Sequence, residues 1–259
     1  MKIPTYQDVI TEARNCYRES GRPIDLPRAE QILRQGLIDF PYVLPIGDEL
    51  VLVLEKQNRD DDAMALLEEL KGRFRDSSEE THSRFGKLFK KQADRLAEKH
   101  PAAAISAFLE AERFYGLAFE KSGAFYARVN QLTAMFLRAA AEQRLDRRAD
   151  ANELVQRVRR EASLMLLDPH VWKSRLADDA IWLPATQGEV YLLLADWQKA
   201  ADAYNEALRA AASQKFYCDC MKSQVQMLLT AHRTLGEIPA GPISDPEVFF
   251  ASETGDKAG

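Results

Sequence analysis

Four histidines, three cysteines and several runs of carboxylates are the residues with the most chemistry to offer, and their spacing withholds most of it. A helical metal site brings two ligands to one face, as in H-x3-H, and His82, His100, His170 and His232 are too scattered for that. Cys218 and Cys220 stand two residues apart, which on a helix sets their thiols about 200° apart rather than around one ion. With Cys16 they make an odd number and read as packed, reduced thiols. Runs such as Asp60-Asp61-Asp62 and Glu79-Glu80 fall where a helix would start, where carboxylates cap free N–H groups and favour the helix dipole. The chain has no G-x-S-x-G, no phosphate-cradling glycine loop and no dinucleotide fingerprint. The expectation is a protein that is not an enzyme and holds no cofactor and no metal.

Two side-chain faces offer recognition instead. Arg84, Lys87, Lys91 and Arg95, spaced 3, 4 and 4, line one side of a helix, with Phe85, Phe89 and Leu96 turned to another. This stripe is either a solvated helix surface or an anion site for an acidic peptide, a phosphate or a nucleotide. Trp182, Thr186, Glu189 and Leu193, spaced 4, 3 and 4, form the second face. An indole beside a carboxylate suits a peptide that offers an apolar group and a base; the competing reading packs Trp182 against a neighbouring helix pair. Asn130 is a further candidate, its amide bonding either a peptide backbone or a second helix.

The elements that carry these faces are helical. Apolar residues recur at helical spacing near 6–19, 26–40, 46–57, 60–74, 79–98, 102–117, 122–142, 147–166, 177–195, 197–212 and 215–235, with no strand alternation between hairpin turns. Breaks fall at Gly21-Arg22-Pro23, at Pro41 with Pro45, at Pro101, at Asp168-Pro169 and from Gly236 to Pro242. Residues 1–236 read as one helical-repeat domain, and 237–259, mixing Gly, Pro, Ser and Asp, as a flexible or extended tail. The formal net charge of -5 sets up no global field for nucleic acid. The apolar runs Val51–Leu54 and Val190–Ala195 are too short to span a membrane, and the polar start Met1-Lys2-Ile3-Pro4 leads into no signal-peptide core, so a cytoplasmic location is expected.

The helices also repeat. Ala29, Leu33 and Gly36 sit at offsets 0, 4 and 7, followed by Pro41. Ala63, Leu67 and Leu70 repeat those offsets, as do Ala104, Phe108 and Ala111, and again Ala200, Tyr204 and Ala207. From Ala29 to Ala63 is 34 residues, the length of a tetratricopeptide repeat; from Ala63 to Ala104 is 41, and from Ala104 to Ala200 is 96, room for one further, longer pair. Small residues at offsets 0 and 7 let two antiparallel helices approach closely, and the larger residue at offset 4 fills the groove toward the next pair. One pair cannot cover its own apolar face, so several must stack. The clearest copy, Gly188, Tyr191, Ala200, Tyr204 and Ala207, keeps the spacing of the tetratricopeptide consensus. The expected fold is all-α, a right-handed solenoid of antiparallel helix pairs with about eleven helices.

Three segments are similar to one subfamily. Glu80-Thr81 with Arg84-Phe85-Gly86-Lys87-Leu88-Phe89-Lys90 resembles the "ET" and "GRIYK" stretch of the TRAFs-binding domain, a tetratricopeptide-type module of stress-activated MAP kinase kinase kinases and many bacterial proteins. Phe125-Tyr126-Ala127-Arg128-Val129-Asn130 with Leu132-Thr133 resembles its "YYGIN-A-T-L" segment, with Arg128 in place of the usual Gly. Trp182, Ala185-Thr186 and Glu189, running into Asp196-Trp197 and Ala200, resemble its "W-AT-EA" segment. The three occur in the family's order and span about residues 60–212. The resemblance implies a regulatory, protein-interacting helical module, and no part of the chain resembles a kinase domain. The leading expectation is a non-catalytic module that binds a peptide or partner domain on its concave face. The alternative is a sensor that binds a nucleotide-like anion through the basic stripe.

Overall fold

The structure is a computed structural model that describes residues 5–17, 24–74, 77–168, 172, 179–211 and 215–254. The breaks expected at Gly21-Arg22-Pro23 and at Pro169 lie outside the described residues. Among the described residues the chain is all helical, with twelve α-helices, one 3-10 turn and no strand. It forms two compact units, residues 1–88 and 89–259, where the sequence suggested one domain to residue 236.

The first unit holds α1 (Tyr6–Tyr17), α2 (Leu26–Asp39), α3 (Leu44–Lys56), α4 (Asp60–Arg73) and the part of α5 (Glu79–Leu96) up to Leu88. α1 packs on α2, α2 on α3, and α3 on α4. Local chemistry sets their ends: Asp25 accepts from the Arg28 amide at 3.0 Å and Pro27 fills the first turn of α2, where no amide partner is needed. Ser78 does the same for α5, accepting from the Thr81 amide at 2.9 Å.

The second unit continues from Phe89 through α6 (Pro101–Ser122), α7 (Phe125–Arg144), α8 (Arg148–Leu167), α9 (Asp179–Leu193), α10 (Trp197–Ala211) and α11 (Lys215–Thr234). The 3-10 turn Pro242–Ser244 and α12 (Pro246–Thr254) follow. Phe89 of α5 stacks on Phe114 of α6, and α6 through α11 each pack on the next helix in sequence. In addition α7, α9 and α11 touch one another directly, so alternate helices share a face.

The repeat register is what the packing uses. Every residue at offsets 0, 4 and 7 in α2, α4, α6 and α10 is buried. A fifth copy, Ala151, Val155 and Val158 in α8, fills the gap between Ala104 and Ala200; Val at offset 7 had hidden it. The turn after the first helix of a pair recurs too. Asn58, Asp146, Ala195 and Gly236 all have positive φ, between 58° and 84°. Each is followed by an amide that reaches back five residues, Arg59 to Leu54, Arg147 to Glu142, Asp196 to Tyr191 and Glu237 to His232, at 2.9–3.0 Å. This satisfies carbonyls that a helix end leaves free.

The C-terminal segment corrects the sequence reading. Residues 237–254 are folded onto the second unit, with Ile243, Phe249 and Phe250 buried against α10 and α11. Glu247 pairs with Lys222 and accepts from the Gln226 amide at 2.7 Å. The Gly and Pro residues that suggested a loose tail form the bend that turns this segment back. The segment covers the apolar side that the last pair of a stack would leave open.

Candidate functional site

In both units the second helices bury small and apolar residues, while the first helices of the pairs (α1, α3, α5, α7, α9 and α11) carry, from α3 onward, buried polar ones. In the first unit Glu49 accepts from Arg14 Nε at 3.0 Å and Nη2 at 2.7 Å, and from the Tyr17 hydroxyl. Asp48 accepts from Ser78 at 2.9 Å and Thr81 at 2.7 Å, and burial pushes its carboxyl above the ordinary aspartate value. Glu55 receives Lys87 directly and lies 3.8 Å from Arg84, which also holds Glu80 at 2.5 Å.

This placement bears on the basic stripe. Arg84 and Lys87 are already paired with carboxylates in the first unit, and Arg84 is buried. Lys91 and Arg95 belong to the second unit and have interactions of their own. The four cations therefore do not stand as an unengaged anion-binding row. The neutralising Glu55 lies 32 residues before Lys87, a pairing that spacing along one helix cannot reveal.

The second unit brings a different set together. Lys90 of α5, buried to 8% exposure, donates to Asn130 Oδ1 of α7 at 2.7 Å and to Gln224 Oε1 of α11 at 3.4 Å. Gln224 Nε2 donates to Glu189 Oε2 of α9 at 3.2 Å, and Asn130 Nδ2 donates to the Tyr126 carbonyl at 3.0 Å. One side chain from each of four successive first helices thus joins a single hydrogen-bonded row. Lys90, Asn130 and Glu189 come one each from the three motif segments noted in the sequence. Desolvation raises the Glu189 carboxyl to about 7, against the opposing pull of Lys90 and of the Gln224 hydrogen bond. The Tyr204 hydroxyl, buried and without a hydrogen-bond partner among the described residues, also senses the Glu189 charge.

Trp182 lies seven residues before Glu189, so the two share one side of α9 about 10 Å apart. Its indole meets Tyr217 of α11 edge-on, with ring centroids 5.4 Å apart, and both residues are partly exposed. Thr186 is buried between Trp182 and Glu189, and Leu193 is fully buried in the core. Of the four residues placed on this face from the sequence, Trp182 and Glu189 reach the surface, while Thr186 and Leu193 support from beneath. Asn130 is buried and ties α5 to α7, the second of its two readings. Gln224 and Lys90 had not been singled out, Gln224 because no motif covers α11 and Lys90 because it lies off the basic stripe.

A second polar centre lies toward the C-terminal ends of α9 and α11. His232 is fully buried between Phe136 and Trp197, with Nε2 donating to the Leu192 carbonyl at 2.9 Å and Nδ1 2.7 Å from Glu237. Arg159 grips the same carboxylate at 2.6 and 2.7 Å. The His232 hydrogen bond first, and Arg159 with it, hold Glu237 down at about 2. This centre joins α8, α9, α11 and the C-terminal segment and serves the fold. Among the described residues no three His, Cys, Asp or Glu side chains gather as metal ligands would, and no helix is long and apolar enough to cross a membrane.

Fold and row together define a class, an all-helical repeat of helix pairs with a polar row on its first helices. No protein-family model matches the chain, and no curated protein matches it.

Proposed function

We propose that the chain is a non-catalytic protein-interaction or regulatory module that binds a peptide or partner domain on the face shared by the first helices of its second unit. The observation that carries this reading is the row Lys90, Asn130, Gln224 and Glu189. Four successive first helices each spend a polar side chain on one line beside the Trp182–Tyr217 pair. Burying such groups is costly, and an apolar seam would hold the helices together as well. A polar row with partly exposed aromatic residues suits the hydrogen-bonding edge of a peptide and one apolar anchor. That the row draws on all three motif segments supports kinship with the TRAFs-binding domain and, with it, a regulatory role inside the cell. The anion-sensor alternative is weakened, because Glu55 and Glu80 already occupy the strongest part of its stripe.

The test is affinity capture from the native host with the parent chain and with Trp182→Ala combined with Gln224→Ala. A partner held by the parent and lost by the variant, while both give the same circular dichroism spectrum and melting curve, supports the reading. Partners retained equally by the variant would place recognition elsewhere on the molecule.

A further inference from the structure

The proposed binding face has one carboxylate that is built into the row without being consumed by it. Glu189 has one hydrogen-bond partner among the described residues, Gln224, at 3.2 Å on Oε2. The residue is only partly buried, and its Oε1, which has no protein partner among the described residues, is strongly desolvated without being fully enclosed. Glu49, by contrast, is held by Arg14 and Tyr17, and Asp48 by Ser78 and Thr81. On the same side of α9, two turns away, the Trp182 ring packs edge-on against Tyr217, and both residues are partly exposed.

Resting on the interaction-module reading, we propose that the ligand is a peptide segment that sets a lysine or arginine head group on Glu189 Oε1 and an apolar side chain on the Trp182–Tyr217 pair. The spacing is compatible with a short extended chain. Seven helical residues separate the two anchors by about 10 Å. A polyproline-type chain places residues i and i+3 on one side about 9 Å apart. Trp182 and Tyr217 also suit the aliphatic stem of a basic side chain lying along them.

The charges around Glu189 set the pH response. Lys90 faces it from α5 and directs its ammonium toward Asn130 and Gln224; Asp94 senses Lys90 from one turn further along α5; the Tyr204 hydroxyl faces it from α10; and α11 presents the neutral Gln224. Desolvation outweighs the help from Lys90, so the carboxyl is close to half protonated at neutral pH. A bound cation selects the ionised form. With a group titrating at about 7, the ionised fraction rises roughly tenfold from pH 6 to pH 8, and affinity for a basic peptide should rise by the same factor.

The experiment selects binders from a random-sequence peptide display library with the full chain at pH 8 and measures one selected peptide by fluorescence anisotropy at pH 6 and pH 8. Three further titrations use Glu189→Gln, Trp182→Ala, and a peptide whose basic residue is replaced by methionine. Glu189→Gln replaces a half-neutral carboxyl by a neutral amide of the same shape and should leave the fold intact. The expected result is enrichment of Lys or Arg three positions from an apolar residue. Binding should strengthen about tenfold from pH 6 to pH 8 in the parent, and both the pH response and the need for the basic residue should disappear in Glu189→Gln. Peptides that bind with dependence on Trp182 and show no basic residue and no pH response would overturn the ligand class and leave the interaction-module reading standing. Selection of acidic peptides would overturn it in favour of an anion site. If no peptide binds, the inference falls, and the capture experiment with Trp182→Ala and Gln224→Ala decides the reading beneath it.

Discussion

Alanine at Gly188 and alanine at Gly72 should move stability in opposite directions, although both replace a glycine inside a helix. Relative to glycine, alanine favours an exposed helix interior by about 0.5–1 kcal/mol, through the smaller entropy it loses on folding. At Gly72, near the end of α4, an added Cβ meets nothing within 4 Å, so this gain should appear almost whole. At Gly188, in the middle of α9, the same Cβ would lie 2.7 Å from two ring atoms of Tyr204. Tyr204 is buried and has the Phe250 ring 6.1 Å from its own, so it has little room to withdraw. Overpacking of this kind costs roughly 1–3 kcal/mol, which exceeds the helix gain and leaves a net loss of about 1 kcal/mol. The two variants should therefore differ by about 2 kcal/mol. Urea unfolding followed by circular dichroism, with the parent's slope retained, measures this directly. If Gly188→Ala raised the midpoint as Gly72→Ala does, Gly188 would not face Tyr204 and the α9–α10 register would be wrong.

Three further predictions concern the turn, the C-terminal segment and the partly exposed Arg159–Glu237 ion pair. Ala195 holds φ at 58°, so Ala195→Gly should stabilise by about 1 kcal/mol in the same unfolding assay. Phe250 is 3% exposed, so Phe250→Ala should cost about 3–5 kcal/mol, and deletion of 243–259 should lower the melting temperature; an unchanged melting curve would mean the segment does not dock. Glu237 is depressed to about 2, so its contribution is full above the ordinary glutamate value near 4.5 and is lost as pH falls from there through 2. Glu237→Gln should cost about 2–3 kcal/mol at neutral pH and flatten the acid limb of a stability-against-pH curve between those values.

What the sequence conveyed depended on whether a feature was local. Ala200, Tyr204 and Ala207 could be placed from spacing alone, because close helix approach demands small residues at fixed offsets and the pattern leaves no freedom there. Val158 in α8 escaped because a β-branched residue at offset 7 still packs while breaking the expected type. The C-terminal segment escaped because composition pointed to a loose tail, whereas three buried apolar side chains, Ile243, Phe249 and Phe250, outweigh it. The candidate site was half readable. Glu189 and Trp182 were found from helical spacing, and Asn130 as a mid-helix amide. The cross-helix partners were not found: Gln224 lies 35 residues after Glu189, Lys90 lies 40 before Asn130, and Glu55 silences Lys87 from 32 residues away. Such pairings are fixed by the stacking of helix pairs, which a single periodic segment does not record.

If the first helices of the second unit form a recognition surface, amide and side-chain NMR shifts of the isotope-labelled chain should report it as a captured partner or selected peptide is added. Shifts should concentrate at Trp182, Glu189, Tyr217 and Gln224, with the side-chain amides of Asn130 and Gln224 among the most affected. Shifts confined to α8 and α10, with the Trp182 indole and the Gln224 amide unmoved at saturation, would contradict it.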